Sequence, residues 1–444
     1  MKTLAGETDE FTLGPNAKQG TVLGPILSSA SIGECCDEMV VGGVSVGSAI
    51  IRSLAFVDDL LGMNQNTLDV HRSHGTVISF SKKKRQPLNE DKCVILPINV
   101  PVTMAVPVLT VNGKEMESVK KAKYLGDIFN SQGTNCSLIE DRVAKGLTCM
   151  ISSISLAREI TLGIHLIKTL ISLYKVVFLK VVTFNSGAWN NITIQQINQL
   201  RTVQLKFLKR ILHTPSSTSN SFTFLELGIL PIEYNIQLNQ LQFLHHVLTL
   251  PEYDPVNISY HQQKLFPFEK NWFNEVSQIR SKYGIMETDE EIADLSKEKW
   301  KMVVHNKINA YALEQLNNEN STKSKTSHHP ACTVLRLQPY FEYLRPSDSR
   351  LLFAIRSGTL DIKTLRKYKY DADDVLCRLC QNENESVEHI VNRCAAIYRT
   401  CDIEDVYTTE KDTVILVVSR MKEFIKLSEE KEKTDTAVVQ EGTE

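Results

Sequence analysis

The sequence predicts an α+β chain, strands and hairpins first and helices after, with a small zinc knuckle near its C-terminal end. Three observations carry that expectation. Up to about residue 136, short β-rich stretches alternate with turn residues and few helical patterns. From Ser137 the apolar period becomes 3.6 residues, and Val143, Leu147, Ile151 and Ile154 fall on one helix face. Cys377-x2-Cys380-x8-His389-x4-Cys394 has the ligand types and spacing of a four-coordinate zinc site.

A chain of 444 residues exceeds one ordinary core, so several domains are expected. The patterns divide it into 1–136, rich in strands; 137–250, a helical bundle; 251–330, a helical connector; 331–427, with the knuckle at 377–394; and a disordered tail, 428–444. Hydrophobic residues at 42% and charged residues at 23% are ordinary for soluble proteins. No apolar run is long enough to span a membrane, and no signal-peptide pattern opens the chain. Ten cysteines without a dense framework point to a reducing intracellular compartment, nucleus and cytoplasm not being distinguished. The run Lys82–Arg85 reads equally as a basic patch or a solvated helix end.

The net charge of −2 hides a segregation. Residues 137–215 carry ten basic and three acidic side chains, whereas 371–444 carry nine basic and eighteen acidic. A basic middle block is the footprint of phosphate contact, or simply a solvated helical surface.

In chain order, Val40–Ile51 suits a strand with a turn at Gly42-Gly43. In 53–63, Asp58 and Asp59 interrupt an otherwise apolar run. A strand, a turn carrying both aspartates and a second strand would lift them to a hairpin tip. Two carboxylates in so apolar a setting need compensation, which Mg²⁺ would supply. The plainer reading is an ordinary turn between core strands. Residues 67–84 read as a helix, Lys92–Leu96 as a strand, Asn112-Gly113 as a two-residue hairpin turn and Tyr124–Phe129 as a short strand. Residues 164–182 read as a buried central helix. The next, marked by Leu200, Val203, Phe207, Leu208 and Ile211, carries Arg201, Lys206, Lys209 and Arg210 on its other side. Residues 222–248 pack a further apolar cluster, with His245 and His246 read as ordinary surface or core histidines. Asn317–Pro330 reads as a flexible linker with an incidental His328-His329, and Thr413–Leu427 as an amphipathic helix.

In the cysteine box, CxxC places two thiolates on one side of a turn, and His389 and Cys394 return to them. Four ligands leave no open position, so the expected zinc is structural, with Cys401 a substitute for Cys394. Three free cysteines beside a satisfied histidine would be the plainer reading.

Four motifs together resemble a family. Phe56-Val57-Asp58-Asp59 resembles the aromatic-x-Asp-Asp box of reverse transcriptases, and Lys18-Gln19-Gly20-Thr21-Val22-Leu23-Gly24-Pro25 their Gln-Gly box. Leu88-Asn89 with Lys92 resembles the next palm motif, and Tyr124-Leu125-Gly126 the primer grip. Order and spacing are similar to those of non-LTR (LINE-type) retrotransposon polymerases, several of which carry a Cys-Cys-His-Cys box after the polymerase. The resemblance implies a partial palm over 1–136, a thumb over 137–250 and contact with RNA or DNA. It gives Asp58 and Asp59 to Mg²⁺, Lys92 to proton donation or phosphate contact, and Gln19, Gly20 and Pro25 to template and substrate positioning. Gly20 and Gly24 would allow close backbone approach, or serve a tight helix entry.

A palm of this kind uses a third carboxylate from an upstream aromatic-x-Asp strand, and fingers motifs over the nucleotide. Neither is found among the 17 residues before Lys18, where Asp9-Glu10-Phe11 lacks the surrounding apolar strand. Three readings of function follow: a truncated reverse transcriptase, inactive until an upstream fragment supplies the missing parts; a non-catalytic RNA- or DNA-binding module; or an inert remnant.

Overall fold

The computed structural model describes residues 2–3, 6–7, 22–101, 104–160, 163–267, 269–365, 374–398 and 401–441. Its helices, in order, are α1 (Gly24–Glu38), α2 (Thr67–Lys84), α3 (Cys136–Ile160), α4 (Leu166–Leu173), α5 (Leu179–Val182), α6 (Ile194–Leu212), α7 (Asn220–Leu227) and α8 (Ile232–Thr249). There follow α9 (Pro255–Gln263), α10 (Trp272–Lys282), α11 (Asp289–Asp294), α12 (Lys297–Ser321), α13 (Tyr340–Tyr343), α14 (Pro346–Arg356) and α15 (Lys411–Glu441). Among the described residues every ladder is two-stranded. The class is α+β, dominated by helix. The chain forms two units, Met1–Asp141 with His246–Glu275, and Arg142–His245 with Val276–Glu444.

The first unit holds the strands: β1 (Lys2–Thr3) with β2 (Gly6–Glu7), β3 (Val44–Val46) with β4 (Ala49–Ile51), and β5 (Ser53–Phe56) with β6 (Asp59–Gly62). β7 (Val94–Ile95) runs parallel to β10 (Glu117–Ser118), while β8 (Thr110–Val111) pairs with β9 (Lys114–Glu115), and β11 (Lys121–Tyr124) with β12 (Asp127–Asn130). Asn112 and Gly113, at φ 52° and 86°, make the two-residue turn expected of them. The turn expected at Gly42-Gly43 lies instead at Gly47-Ser48, where Gly47 takes φ 57°. The strand expected over Tyr124–Phe129 is a hairpin with Leu125 and Gly126 as its turn, because both take positive φ. α2 starts on Asn66, whose side chain accepts from Asp69 N–H, and ends on left-handed Arg85. Lys83 and Lys84 pair with Glu38 and Glu34 of α1 at 2.7 and 2.6 Å, so half of the Lys82–Arg85 run is a helix end spent on its neighbour.

The second unit packs α4 and α5, joined by the π-helical turn Tyr174–Phe178, against α6. Tyr174, Phe178 and Phe207 form an aromatic triad with ring centroids 5.1 to 5.7 Å apart. Gln204, wholly buried beside it, donates to Tyr174 Oη and the Leu230 carbonyl and accepts from Ile232 N–H. The central helix is not buried on every side: Val176 and Val177 are exposed. Trp300 of α12 is buried with its indole N–H on the Leu241 carbonyl, 2.8 Å.

Two segments expected as a flexible linker and a disordered tail carry structure. α12 continues to Ser321, into the expected linker; beyond it Thr326 is buried and the His329 side chain largely so, while most of Asn317–Pro330 is exposed. α15 continues helically to Glu441, through most of the expected tail. His329 is no incidental residue: its ring packs edge-on against Phe222 and Tyr407. Its Nε2 lies 3.8 Å from the carboxylate of Glu226, itself buried, which accepts from Tyr340 Oη at 2.5 Å and lies 3.7 Å from Arg356. Gly228 closes α7 in the left-handed region, where a Cβ would meet the Arg336 backbone at 2.1 Å, so only glycine lets this segment approach.

Burial, and then the Arg356 charge, push the His329 pKa down to about 3. An unfolded histidine takes up its proton near pH 6.5. The folded-state pKa is therefore depressed, and the stability His329 contributes is complete above pH 6.5 and lost as pH falls toward 3, at about 1.4 kcal/mol per unit. The Glu226 pKa is raised by burial, against Arg356 and Tyr340, and works in the opposite sense. Comparing His329→Phe with wild type isolates the histidine. Between pH 7 and 5, urea unfolding should show the wild type losing about 2 kcal/mol more than the variant. Equal losses would mean that His329 is not held neutral.

Candidate metal centre

The cysteine box folds as a tight turn. Leu376 and Asn384 form an antiparallel bridge, Cys377 N–H donates to the Glu383 carbonyl at 2.7 Å, and Gln381 takes φ 58° just past Cys380. That left-handed step turns the chain around the CxxC sulfurs. His389 and Cys394 sit at the two ends of a π-helical turn, His389–Arg393, closed by Cys394 N–H to the His389 carbonyl at 2.8 Å. An i to i+5 closure brings residues five apart to the same side, which α-helical geometry would not do.

The ligand atoms of Cys377, Cys380, His389 and Cys394 all lie within 4.8 Å of one another. Cys377 Sγ is 3.9 Å from Cys394 Sγ, and Cys380 Sγ is 3.3 Å from His389 Nε2. A tetrahedral zinc site has edges of about 3.8 Å between sulfurs and about 3.5 Å between sulfur and nitrogen, given its usual bond lengths. The donor set fits zinc, and no fifth position is offered. Cys401, though buried, is not in the group; its N–H is tied to the Val391 carbonyl instead.

The surroundings fit thiolates. Burial raises the pKa of Cys380, but the Asn382 and Glu383 backbone N–H groups and the neighbouring thiols outweigh it, so the net direction is down. Burial and the other two thiols push Cys394 up to about 12. The first sulfur thus ionises readily, and the last needs the metal's own charge. Because His389 Nε2 faces Cys380, Nδ1 is left toward Glu383, 3.4 Å away but outside hydrogen-bond geometry. Glu383 is held there by Arg393 at 2.9 Å, as metal-binding histidines commonly have a carboxylate behind them.

Comparison with known proteins adds one finding. No protein-family model matches the chain. It is 29% identical over 137 residues to a protein of Popillia japonica described as a retrovirus-related Pol polyprotein from type-1 retrotransposable element R2. The match takes in 28% of this chain, which spans 22% of that relative's length. A retrotransposon-related origin is what this likeness supports.

The Asp58-Asp59 pair belongs to the first unit. Its hairpin is one register off the expected one: Phe56 pairs with Asp59, and the turn is Val57-Asp58. Val57 takes φ 57°, where a β-branched residue is a true outlier, costing about 1–2 kcal/mol. Its carbonyl accepts from Ser28 Oγ of α1 at 3.1 Å. Both aspartates are exposed, as are Leu54 and Phe56, so the buried apolar setting inferred from the sequence is not formed.

Gln19 and Gly20 lie outside the described residues, and Pro25 is exposed in the first turn of α1. Tyr124 is half-buried with its hydroxyl unpaired. Burial, then Asp59 and Cys36, raise its pKa, which places it in the field of Asp59. Lys92 is exposed in the turn before β7. Of the basic set, Lys206 and Arg210 are exposed, but Arg201 is bound through two nitrogens to Glu233. Lys209 is buried, its Nζ donating to Ser216 O, Thr218 O and Asn220 Oδ1 at 2.6 to 2.7 Å. These two are structural cations, a distinction charge counting does not make.

Replacing Cys380 by serine removes one of three sulfurs and should abolish stoichiometric zinc in the purified protein. Chelation should speed hydrogen exchange over 374–398 while α6 and α7 keep their protection. Metal analysis well below one zinc per wild-type chain, with the thiols reduced, would defeat the assignment.

Proposed function

We propose that this chain is part of a retrotransposon reverse transcriptase: one carboxylate wall of the palm, a thumb and a structural zinc knuckle. The observation that carries the reading is the Asp58-Asp59 pair, exposed on a hairpin whose turn is held in a strained conformation at Val57. Strain of this kind is kept where surrounding structure requires it, and it clusters at working sites. Similarity to a retrotransposon Pol polyprotein and a Cys3His cluster in the order the resemblance implies support the same reading.

In this reading Asp58 is the main Mg²⁺ ligand and Asp59 its neighbour. Two exposed carboxylates suit an ion that keeps several waters and takes substrate phosphates. When bound, the metals acidify the primer hydroxyl and neutralise charge on the leaving pyrophosphate. Asp58 and Asp59 hold two negative charges at the hairpin tip, and the Tyr124 hydroxyl stands in the field of Asp59 as part of the primer grip. Outside Phe56-Val57-Asp58 the sequence has no aromatic-x-Asp motif, the pattern that supplies a third carboxylate in the family it resembles. By resemblance, Gln19, Gly20 and Pro25 would position template and substrate, and Lys92 would contact phosphate.

The second reading, nucleic-acid binding without chemistry, draws on a separate observation. Lys175, Lys180, Lys206 and Arg210 are exposed on the helices of the second unit. Four phosphate contacts would make affinity fall roughly a hundredfold between 50 and 200 mM salt.

Two measurements test these readings. Primer extension on an RNA template with Mg²⁺ or Mn²⁺ should show no activity in the isolated chain; extension abolished by Asp58→Ala would show that the site is complete without a further segment. Binding of a fluorescent RNA–DNA duplex across a salt series should follow the steep dependence above. Lys206→Gln with Arg210→Gln should flatten the slope by about two units of log affinity per log salt, whereas Arg201→Gln leaves it unchanged. A salt-independent curve would leave only the inert-remnant reading.

A further inference from the structure

α15 grips the metal centre from both sides. Arg420, fully buried on this helix, donates Nε to the Ile390 carbonyl at 2.7 Å, Nη1 to Ile397 O at 3.2 Å and Nη2 to Cys394 O at 3.4 Å. All three carbonyls belong to the His389–Cys394 arm or the turn just after it. Further along the helix, Lys431 Nζ donates to the Arg378 carbonyl at 2.7 Å, inside the Cys377–Cys380 arm. Glu432 stands 3.5 Å from the Arg378 guanidinium, which lies 5.9 Å over the Phe424 ring.

The charge balance of Arg420 is unusual. Among the described residues no carboxylate forms an ion pair with it. Glu423 acts only at longer range, alongside the sulfurs of Cys394 and Cys401. A buried guanidinium bonded only to neutral carbonyls is costly. Three thiolates and one imidazole around a divalent ion carry a net charge of −1, which would be the missing counter-charge.

We propose that Arg420 is a positioning residue of the metal centre, through which metal occupancy and the docking of α15 stabilise each other. The guanidinium fixes the carbonyl side of the turn that presents His389 and Cys394. The metal–thiolate charge in turn offsets the burial of Arg420. Such a coupling is reciprocal: whatever loosens α15 weakens metal binding by the same factor that metal loss loosens α15. This inference rests on the reading of the four residues as a metal site, and it extends that site to a helix that contributes no ligand.

The test uses the full chain. Zinc affinity is measured by competition with 4-(2-pyridylazo)resorcinol for wild type, Arg420→Met, Arg420→Lys and, as control, Lys426→Met at an exposed position of the same helix. Arg420→Met should bind zinc at least tenfold more weakly. Arg420→Lys, keeping the charge but not the three-carbonyl grip, should fall between, and the control should match wild type. EDTA treatment of wild type should raise hydrogen exchange over 414–424 together with 377–394. Zinc held by Arg420→Met within twofold of wild type overturns the proposal. So does protection of 414–424 that chelation leaves unchanged, a readout that needs no variant to fold. A wild-type chain that takes up no zinc overturns the metal reading itself.

Discussion

The buried carboxylate of Glu226 is the constraint on which the second unit depends. It lies in the last turn of α7 in a place water does not reach, and it is met by Tyr340 from α13, Arg356 from α14 and His329 from the segment after α12. Arg356 lies over the Tyr340 ring at 5.0 Å and donates to the Val406 and Thr408 carbonyls. Residues almost two hundred positions apart thus share one charge pair. Such a cluster adds little net stability over apolar packing. Removing one partner, however, costs about 3–5 kcal/mol, because it strands the other's charge. Its effect is to fix where each segment sits. From α14 the constraint passes to α15 through Asp348 and Lys422, 3.1 Å apart, and from α15 to the metal centre through Arg420.

Legibility in the sequence follows how local the cause is. Asn112-Gly113 was readable because the turn's backbone requirement is met by those two residues alone. α2 was readable to its ends from periodicity, with an asparagine at its N-cap. The metal centre was readable because four ligands fall within eighteen residues. By contrast, Asn317–Pro330 looked like a linker because its polarity hides the two side chains that matter. Thr326 is buried, and His329 packs against Phe222 and Tyr407, which lie far away in sequence. The Val57-Asp58 turn was missed by one register, since β-branched valine is the last residue expected at positive φ.

The basic block shows the same limit in electrostatic terms. Its ten cations were counted correctly, yet a count assumes that each faces water. Arg142 is buried with its guanidinium 4.9 Å from the Phe184 ring, Arg201 is bound to Glu233, and Lys209 closes the loop after α6 with three oxygens. Burial lowers the Lys209 pKa, the direction for an ammonium whose partners are all neutral. What a polyanion would meet is a smaller set, sited on α3, α4, α5 and α6 and in the π-helical turn between α4 and α5.

The Cys3His cluster and the proposed aspartate site obey opposite rules. The Cys3His cluster is closed: three of its four residues are buried, all ligand atoms come from one short segment, and a helix compensates its charge from behind. It can do its work, which is to hold fold, with nothing else bound. The aspartate hairpin is open. Asp58 and Asp59 face water, so they carry no desolvation cost that a bound ion must offset. An ion held by two exposed carboxylates is weakly bound until phosphates and a further ligand complete its shell. The Cys3His cluster is therefore complete in its donor atoms, whereas the proposed role of the aspartate hairpin needs ligands that Asp58 and Asp59 do not themselves provide.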